Sequence, residues 1–530
     1  MAGFSYLVQY GIFTAVAAVL SRILYSVIVR IRNKIRARAL GCQSPPMQKQ
    51  RLPFGLEQLT KAIYSDKSQR LPDNAIQRFK KMGTYTFGFS LLGKQNFVTA
   101  EPENIKAMLA TKFQDFSIGK VRKGNFNRLF GSGIFTQEGQ AWQHSRATLR
   151  PQFAREQVSD LSLEEVHVQN MMRALTPDAS GWIEQVDLLP LFFRLTLDSA
   201  TEFIMGYSVG SQLAALPDYQ KDTELFHDEM VFVDSFEEAK LTISFRSKFR
   251  SLYWLMQPPR FHAACRRVHE YTDRFVRQAL ASQAREKESG QDAEASDGKE
   301  KFVLLQQLAK ETQDPLQLRF QILHMLFAGR DTTASLIGWL FYSLSQDSER
   351  YQKLRKVVLD EFGTFKHPKD ITFGRLKSCD YLRFCLSEAL RIWPVVPFNT
   401  RRTVRDTTLP RGGGTDGMSP VFVPADTQVD YSIYVMQRRK DIWGDDADEF
   451  RPERWEGRKT GWDYIPFNGG PRICIGQQFA LTEASFVAVR LMQRFDIMES
   501  LITDPLPRFN LKLTTSPGTG VKVRLHEARE

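Results

Sequence analysis

Cysteine is scarce in this sequence of 530 residues and lies scattered, at Cys42, Cys265, Cys379, Cys385 and Cys474. An odd number without a C-x-x-C pair argues against a disulfide framework, so the body is expected to face a reducing, cytosolic compartment. Charge is missing altogether from Met1 to Ser21. A cleavable secretory signal opens on positive charge, so that reading fails here. Between Arg285 and Lys301 there is no aromatic residue and no aliphatic one other than alanine. Such a stretch cannot bury enough surface to order itself and is expected to be a surface loop. Nowhere does the composition break sharply enough to cut the chain into the three or four domains its length would allow. The net charge of +12 comes without any RNA- or DNA-binding motif, which leaves out nucleic acid as a partner.

What is present starts with an apolar N-terminus, interrupted by Arg22 and resuming from Ile23 to Val29. At about 1.5 Å per residue the segment can cross a hydrocarbon core of roughly 30 Å. Arg30, Arg32, Lys34, Arg36 and Arg38 come directly after it, and a basic cluster on that flank keeps the rest of the chain in the cytosol. Residues 1–29 are therefore expected to be a single-pass signal anchor in the lipid bilayer. Residues 30–50 are expected to be a basic and Pro-rich linker, and residues 51–530 one catalytic body. Residues 83–98 mix β-branched and aromatic residues with turn glycines and predict a small antiparallel sheet. From Glu101 the period is mainly helical. Asp314-Pro315 reads as an N-cap followed by proline at the first helical position, and a helix from there to about Ser345 would be roughly 45 Å long. Residues 406–422 predict a hairpin with a Gly-rich tip, residues 511–517 a last strand, and residues 441–453 an acidic packing segment. The fold class is mainly α with small antiparallel β-sheets (α+β).

Two stretches carry chemistry. Phe467-Asn468-Gly469-Gly470-Pro471-Arg472-Ile473-Cys474-Ile475-Gly476 sets one cysteine among glycines and a proline, immediately before a helical pattern. Free N–H groups at the start of that helix would point at the sulfur and favour a thiolate, as an axial ligand of haem iron requires. Gly470 and Gly476 would let the backbone approach a flat macrocycle. Arg472, on the side of Cys474 in an extended loop, could pair with a propionate. Without the rest of the pattern, a lone cysteine is more often structural. The second stretch is Ala328-Gly329-Arg330-Asp331-Thr332-Thr333, in mid-helix. There Thr332 can bond back to a carbonyl one turn earlier and open a groove. An acid beside an alcohol, Asp331 beside Thr332, can organise a proton relay, although a kinked helix with surface charges would look the same. Trp142 and Arg146 share a helix face, as an exposed stacked pair would. Glu388 and Arg391 also share a face, and a solvated ion pair is the ordinary reading.

F-x-x-G-x-R-x-C-x-G is matched at every fixed position by Phe467, Gly470, Arg472, Cys474 and Gly476, and on this motif the chain resembles the cytochrome P-450 superfamily. The likeness covers nearly everything from about Gly41 and is most specific between Asp314 and Phe486. AGRDTT, the LPRGGG segment at 409–414 and MQRRKDIWGDDADEFRPERW at 436–455 are similar to the fungal microsomal n-alkane and fatty-acid hydroxylases. Gly469 stands where alanine is frequent, and Gln437 where histidine is frequent. The resemblance implies a P-450 fold behind one transmembrane helix, and a haem b with Cys474 on its iron. It further implies dioxygen as co-substrate, and electrons from NADPH through a flavoprotein reductase at the endoplasmic reticulum membrane. Trp142, Arg146, Arg401 and Arg472 would face the propionates, with Phe467 and Gly476 completing the cofactor cradle. Asp331 and Thr332 would deliver protons. Arg454 would join Glu388 and Arg391 in a buried set that fixes the cysteine loop. Phe135, Ala328, Val395, Val396, Phe398 and Thr515 would line a cavity for a lipophilic small molecule. The implied activity is hydroxylation of a long aliphatic chain, a fatty acid or n-alkane, at or near its terminal carbon. The alternatives are a pathway-specific hydroxylase of a polyketide, terpenoid or lipid intermediate, a haem isomerase working without a reductase, and a non-catalytic haem sensor.

Overall fold

The computed structural model describes residues 2–153, 161–217, 219, 224–289 and 303–529. The loop expected between Arg285 and Lys301 falls mostly outside the described residues, and its start, to Ser289, completes a helix. The helices that bear on the site are α1 (Ala2–Ala39), α2 (Lys120–Phe130), α3 (Gly139–Leu149), α4 (Ser162–Arg173), α5 (Leu188–Met205), α6 (Glu224–Lys248), α7 (Pro259–Ser289), α8 (Pro315–Leu344), α9 (Asp380–Ile392) and α10 (Gln477–Arg494). The strands are β1 (Thr86–Leu91), β2 (Lys94–Thr99), β3 (Phe116–Ser117), β4 (Trp182–Asp187), β5 (Phe398–Thr403), β6 (Thr407–Gly413), β7 (Ser419–Val423), β8 (Gln428–Ser432), β9 (Phe495–Ser500), β10 (Phe509–Leu511), β11 (Thr515–Pro517) and β12 (Lys522–Glu527). The chain gathers into two compact units. The first is Met1–Leu56, Arg78–Ser117 and Thr400–Tyr431; the second is Glu57–Gln77, Ile118–Asn399 and Ser432–Glu530.

In the first unit α1 runs on through the basic cluster to Ala39, because arginine and lysine are good helix formers and nothing before Gly41 stops them. Its Gln9–Ala39 portion is long and apolar enough to cross a membrane. The strand order of the larger sheet is β1-β2-β8-β5-β3. β1 and β2 form the antiparallel hairpin expected of residues 83–98, but β2 and β8 run parallel, so this sheet is mixed. β6 and β7 are the hairpin expected of residues 406–422. Gly412, at φ +109°, lets that hairpin approach β1, since a Cβ there would lie 2.3 Å from Thr86 Cβ.

The second unit is helical around α8, whose Asp314 N-cap accepts from Leu316 N–H at 2.9 Å. Leucine, isoleucine and aromatics occur on all sides of this helix, so it is buried nearly all round by α5, α7 and α10. Phe327, Ala328, Gly329 and Thr332 break the rule and stay partly open. The small sheets are β4-β12-β9 and the pair β10-β11. Residues 511–517 are therefore the end of one strand, a turn and a second strand, and the last strand of the chain is β12. Where α4, α5 and α10 meet, two acids are fully enclosed. Glu164 Oε1 accepts from Ser199 Oγ at 2.9 Å, and Glu483 lies beside Ser199 and Thr333. Burial pushes the Glu164 carboxyl up to about 7 and Glu483 well above its ordinary value.

A carboxyl raised on folding opposes the folded state once it ionises. Its contribution is full below about pH 4.5 and is lost as pH rises toward 7. Glu164→Gln is expected to flatten the fall in thermal midpoint between about pH 5 and pH 8, read by calorimetry; a slope unchanged from the parent would count against this assignment.

Candidate active site

A loop folded by its own backbone presents Cys474. Its N–H donates to Phe467 O at 3.0 Å, and Ile473 N–H donates to Gly470 O at 3.0 Å. Asn468 (φ 65) and Gly470 (φ 66) make the left-handed turns. α10 begins just beyond, and the Gly476 N–H reaches the sulfur. Cys474 is exposed while the other four cysteines are buried. Its own surface is open, yet protein crowds round it, and desolvation pushes the thiol up against the Gly476 N–H and the Arg146 cation, which favour thiolate.

The cation beside the sulfur is thus Arg146, on α3, and not Arg472. Gly470–Arg472 is a 3-10 turn and not an extended run. The turn aims the Arg472 guanidinium at Gln137 O, 2.9 Å away, and Ile134 O, 3.4 Å away, and lays it over the Trp142 ring at 4.3 Å. Arg146 donates to Ile473 O at 2.8 Å and stands 6.0 Å from the same ring. Arg401 belongs to the first unit, where it is buried and donates to Thr400 O at 2.8 Å.

Glu388 and Arg391 are fully buried on α9, one turn apart. Arg391 donates Nε to Glu388 Oε2 at 2.9 Å and Nη2 to Oε1 at 2.8 Å, a two-pronged pair. Arg454 Nε donates to Oε1 at 2.8 Å, Trp455 Nε1 to Oε2 at 2.9 Å, and Arg451 N–H to Oε1 at 2.9 Å. The remaining guanidinium donors are spent on carbonyls of the acidic segment: Gln437, Ala447 and Glu449 from Arg391, Trp443 and Asp446 from Arg454. Burial works against the charge on Arg454, but Glu388 and Asp446 outweigh it and raise its pKa. The set reaches the cysteine loop through Gln437. That side chain donates to Leu390 O and Arg391 O at 3.0 Å each and accepts from Ile465 N–H at 3.1 Å. The other departure, Gly469, has a reason in packing, since a Cβ there would lie 2.7 Å from the Trp462 ring.

On α8, Thr332 Oγ1 donates to Ala328 O at 2.6 Å, the back-bond expected of it. Asp331 does not stand free beside it. Its Oδ2 is 2.6 Å from Lys240 Nζ of α6, inside a buried cluster in which Glu237 holds Lys240 at 3.0 Å and Arg330 at 2.8 Å. Burial lowers the Lys240 pKa, and the cations around Glu237 hold its carboxyl far below the ordinary range. Lys240 and Glu237 were not legible as site residues. Their three-residue spacing marks a helix pair, but nothing in sequence ties it to an acid ninety-one positions on.

Of the expected cavity residues, Phe135, Ala328, Val396 and Phe398 are partly open. Val395 and Thr515 are buried: Thr515 N–H donates to Val395 O at 2.8 Å and its Oγ1 to Pro394 O at 3.1 Å, so both serve to fix the segment instead.

Among the described residues no three His, Cys, Asp or Glu side chains converge as metal ligands. An iron on Cys474 would therefore bring its remaining ligands with it, as a haem iron does. An open thiol before a helix N-terminus, with Arg146 and Arg472 on the ring of Trp142 nearby, fits such an anionic macrocycle. The Cytochrome P450 family model matches residues 48–523. Cytochrome P450 monooxygenase g430 of Fusarium sp is 52% identical over 512 residues, covering 96% of this chain and 89% of the relative. Cytochrome P450 monooxygenase alt2 of Alternaria solani is 44% identical over 526 residues, 96% of each. Cytochrome P450 52A1 of Candida tropicalis is 43% identical over 447 residues, 83% of this chain and 80% of the relative.

Glu388→Ala leaves the buried Arg391 guanidinium without a carboxylate and Arg454 with Asp446 alone, a loss of about 3–5 kcal/mol, and is expected to abolish retention of the prosthetic group. The check is the haem-to-protein absorbance ratio of the purified variant, and normal loading would contradict the role given to the set.

Proposed function

This chain belongs to the cytochrome P450 family and is a haem-dependent monooxygenase, and we propose that it hydroxylates a long aliphatic chain, a fatty acid or n-alkane, at or near the terminal carbon. A haem held by this cysteine thiolate would supply dioxygen activation with two reductase-supplied electrons and two protons, one oxygen atom entering a C–H bond and the other leaving as water. Cys474 is the thiolate in this reading, held in place by its own loop turns, the Gly476 N–H and the Glu388 set behind them. Trp142, Arg146 and Arg472 carry the propionates. A reductase drawing on NADPH is the electron donor, and α1 anchors the protein in the endoplasmic reticulum membrane.

One observation carries the choice of substrate class. Past Phe320, α8 is buried nearly throughout, and the strip it leaves partly open there is Phe327, Ala328, Gly329 and Thr332. The charged neighbours Arg330 and Asp331 are turned into the cluster with Glu237 and Lys240. A wall without exposed charge suits an unfunctionalised alkyl chain, which gains about 0.8 kcal/mol per buried methylene and needs no polar partner. Thr332 is the single hydroxyl on the strip and is the group that passes protons. Asp331 supplies it only after leaving Lys240, so the lysine holds the acid in reserve.

The test combines two measurements on the full-length protein. The reduced, carbon monoxide-bound form is expected to show the red-shifted Soret band of thiolate ligation, lost in Cys474→Ala. Dodecanoic and hexadecanoic acids are expected to shift the iron spin state and to yield terminal or near-terminal alcohols with NADPH and reductase. No shift and no turnover with either acid, in protein with the thiolate band, would overturn the substrate class. Thr332→Ala is expected to keep consuming NADPH while product falls about tenfold or more, measured as the ratio of alcohol formed to NADPH oxidised.

A further inference from the structure

His324 stands on α8 one turn before Ala328, fully buried, and is neither a ligand nor a proton donor in the proposed reaction. Both ring nitrogens are engaged. Nδ1 accepts from Phe135 N–H at 3.2 Å, and Nε2 donates to Phe130 O at 3.0 Å. The second bond caps the C-terminus of α2, whose last carbonyls have no helical partner; His269 of α7 does the same for Leu129 O at 2.8 Å. The ring of Phe135 stacks on His324 at 5.4 Å and 9°. Phe327, three residues on, meets Phe135 at 5.8 Å, Phe130 at 5.0 Å and Phe126 at 6.2 Å. One imidazole therefore organises four phenylalanines.

The loop from Gly131 to Gln137 is shaped to receive it. A Cβ on Gly133 would lie 2.8 Å from the His324 ring, and one on Gly131 (φ +53°) 2.3 Å from the ring of Phe320. Thr136 Oγ1 closes the loop by donating to Gly131 O at 2.7 Å and accepting from Gly133 N–H at 3.0 Å. The far end of the same loop is gripped by Arg472 from the cysteine loop, through Gln137 O and Ile134 O. The segment is thus clamped between the cysteine loop and α8. An aliphatic side chain at 324 would strand one buried N–H and one buried C=O without a partner. Burial holds His324 at a pKa of about 4, so at neutral pH it keeps the acceptor lone pair that the Phe135 N–H needs.

We propose that His324 is a positioning residue that clamps the Gly131–Gln137 loop onto α8 and so sets the aromatic wall, Phe126, Phe130, Phe135 and Phe327, that decides which molecules reach the haem. The inference rests on the reading that Cys474 holds the iron and that the open strip of α8 faces the substrate. It does not depend on which substrate is natural.

The test uses iron-binding azoles of graded size, imidazole, 4-phenylimidazole and 1-dodecylimidazole, titrated into full-length holoprotein and followed by the absorbance shift. Imidazole is small enough to ignore the wall and reports whether the iron site is intact. In His324→Leu the affinity for the two larger azoles relative to imidazole is expected to change at least fivefold. His324→Gln, which keeps one donor and one acceptor, should stay within twofold of the parent. Hydrogen exchange in a 131–137 peptide should speed up in His324→Leu with the 380–392 peptide unchanged. A size ratio within twofold of the parent in His324→Leu, or the same ratio change in both variants, would overturn the proposal. If His324→Leu fails to retain haem, Gly133→Ala decides, since its methyl pushes the loop from the other side. A fivefold change there supports the clamp, and none sinks it.

Discussion

A single buried carboxylate, Glu388, accepts from two guanidiniums, an indole and a backbone amide, and a chain of hydrogen bonds runs from that convergence to the cysteine loop. Taking three charges out of water is expensive, and such a set adds little net stability compared with a well-packed apolar replacement. What it provides is direction. The guanidinium donors left over from Glu388 tie down five carbonyls of the 437–449 stretch, and Gln437, whose own carbonyl is one of them, bonds forward to the Ile465 amide. Ile465 O in turn holds Asn468 N–H at 2.9 Å, and the left-handed turns at Asn468 and Gly470 come next. The loop with its one cysteine is thus joined through backbone and side-chain bonds to the ion set behind it.

The other side of the site is governed by a conflict within α8. A helix buried nearly all round has to hide Arg330 and Asp331, and α6 resolves this by supplying Glu237 and Lys240 as partners. The helix is thereby free to present a strip of Phe, Ala, Gly and Thr without charge. The same ion cluster takes Asp331 away from Thr332, so the acid and the alcohol that are adjacent in sequence have different partners in the folded chain. Arg472 shows a similar divergence: read as a propionate cation, it is also the residue that holds the 131–137 loop.

Much was legible from the residues alone, because the signals there are local. The N-cap and proline at 314–315, the hairpins at 83–98 and 406–422, the back-bonding Thr332 and the glycine-rich turn around Cys474 each depend on a few neighbouring residues, and local rules suffice for those. The sequence also paired Glu388 with Arg391 and, through the family motif, with Arg454. Who else meets them was settled by the packing. The Gln137 and Ile134 carbonyls that take Arg472, the Lys240 partner of Asp331, the bonds of His324 to Phe130 and Phe135, the parallel pairing of β2 with β8, and the partners of Gln437 all join residues far apart in the chain. Such contacts are fixed by the requirement that every buried donor, acceptor and charge find a partner somewhere in the packed molecule, and that is a property of the whole arrangement and not of any window of sequence.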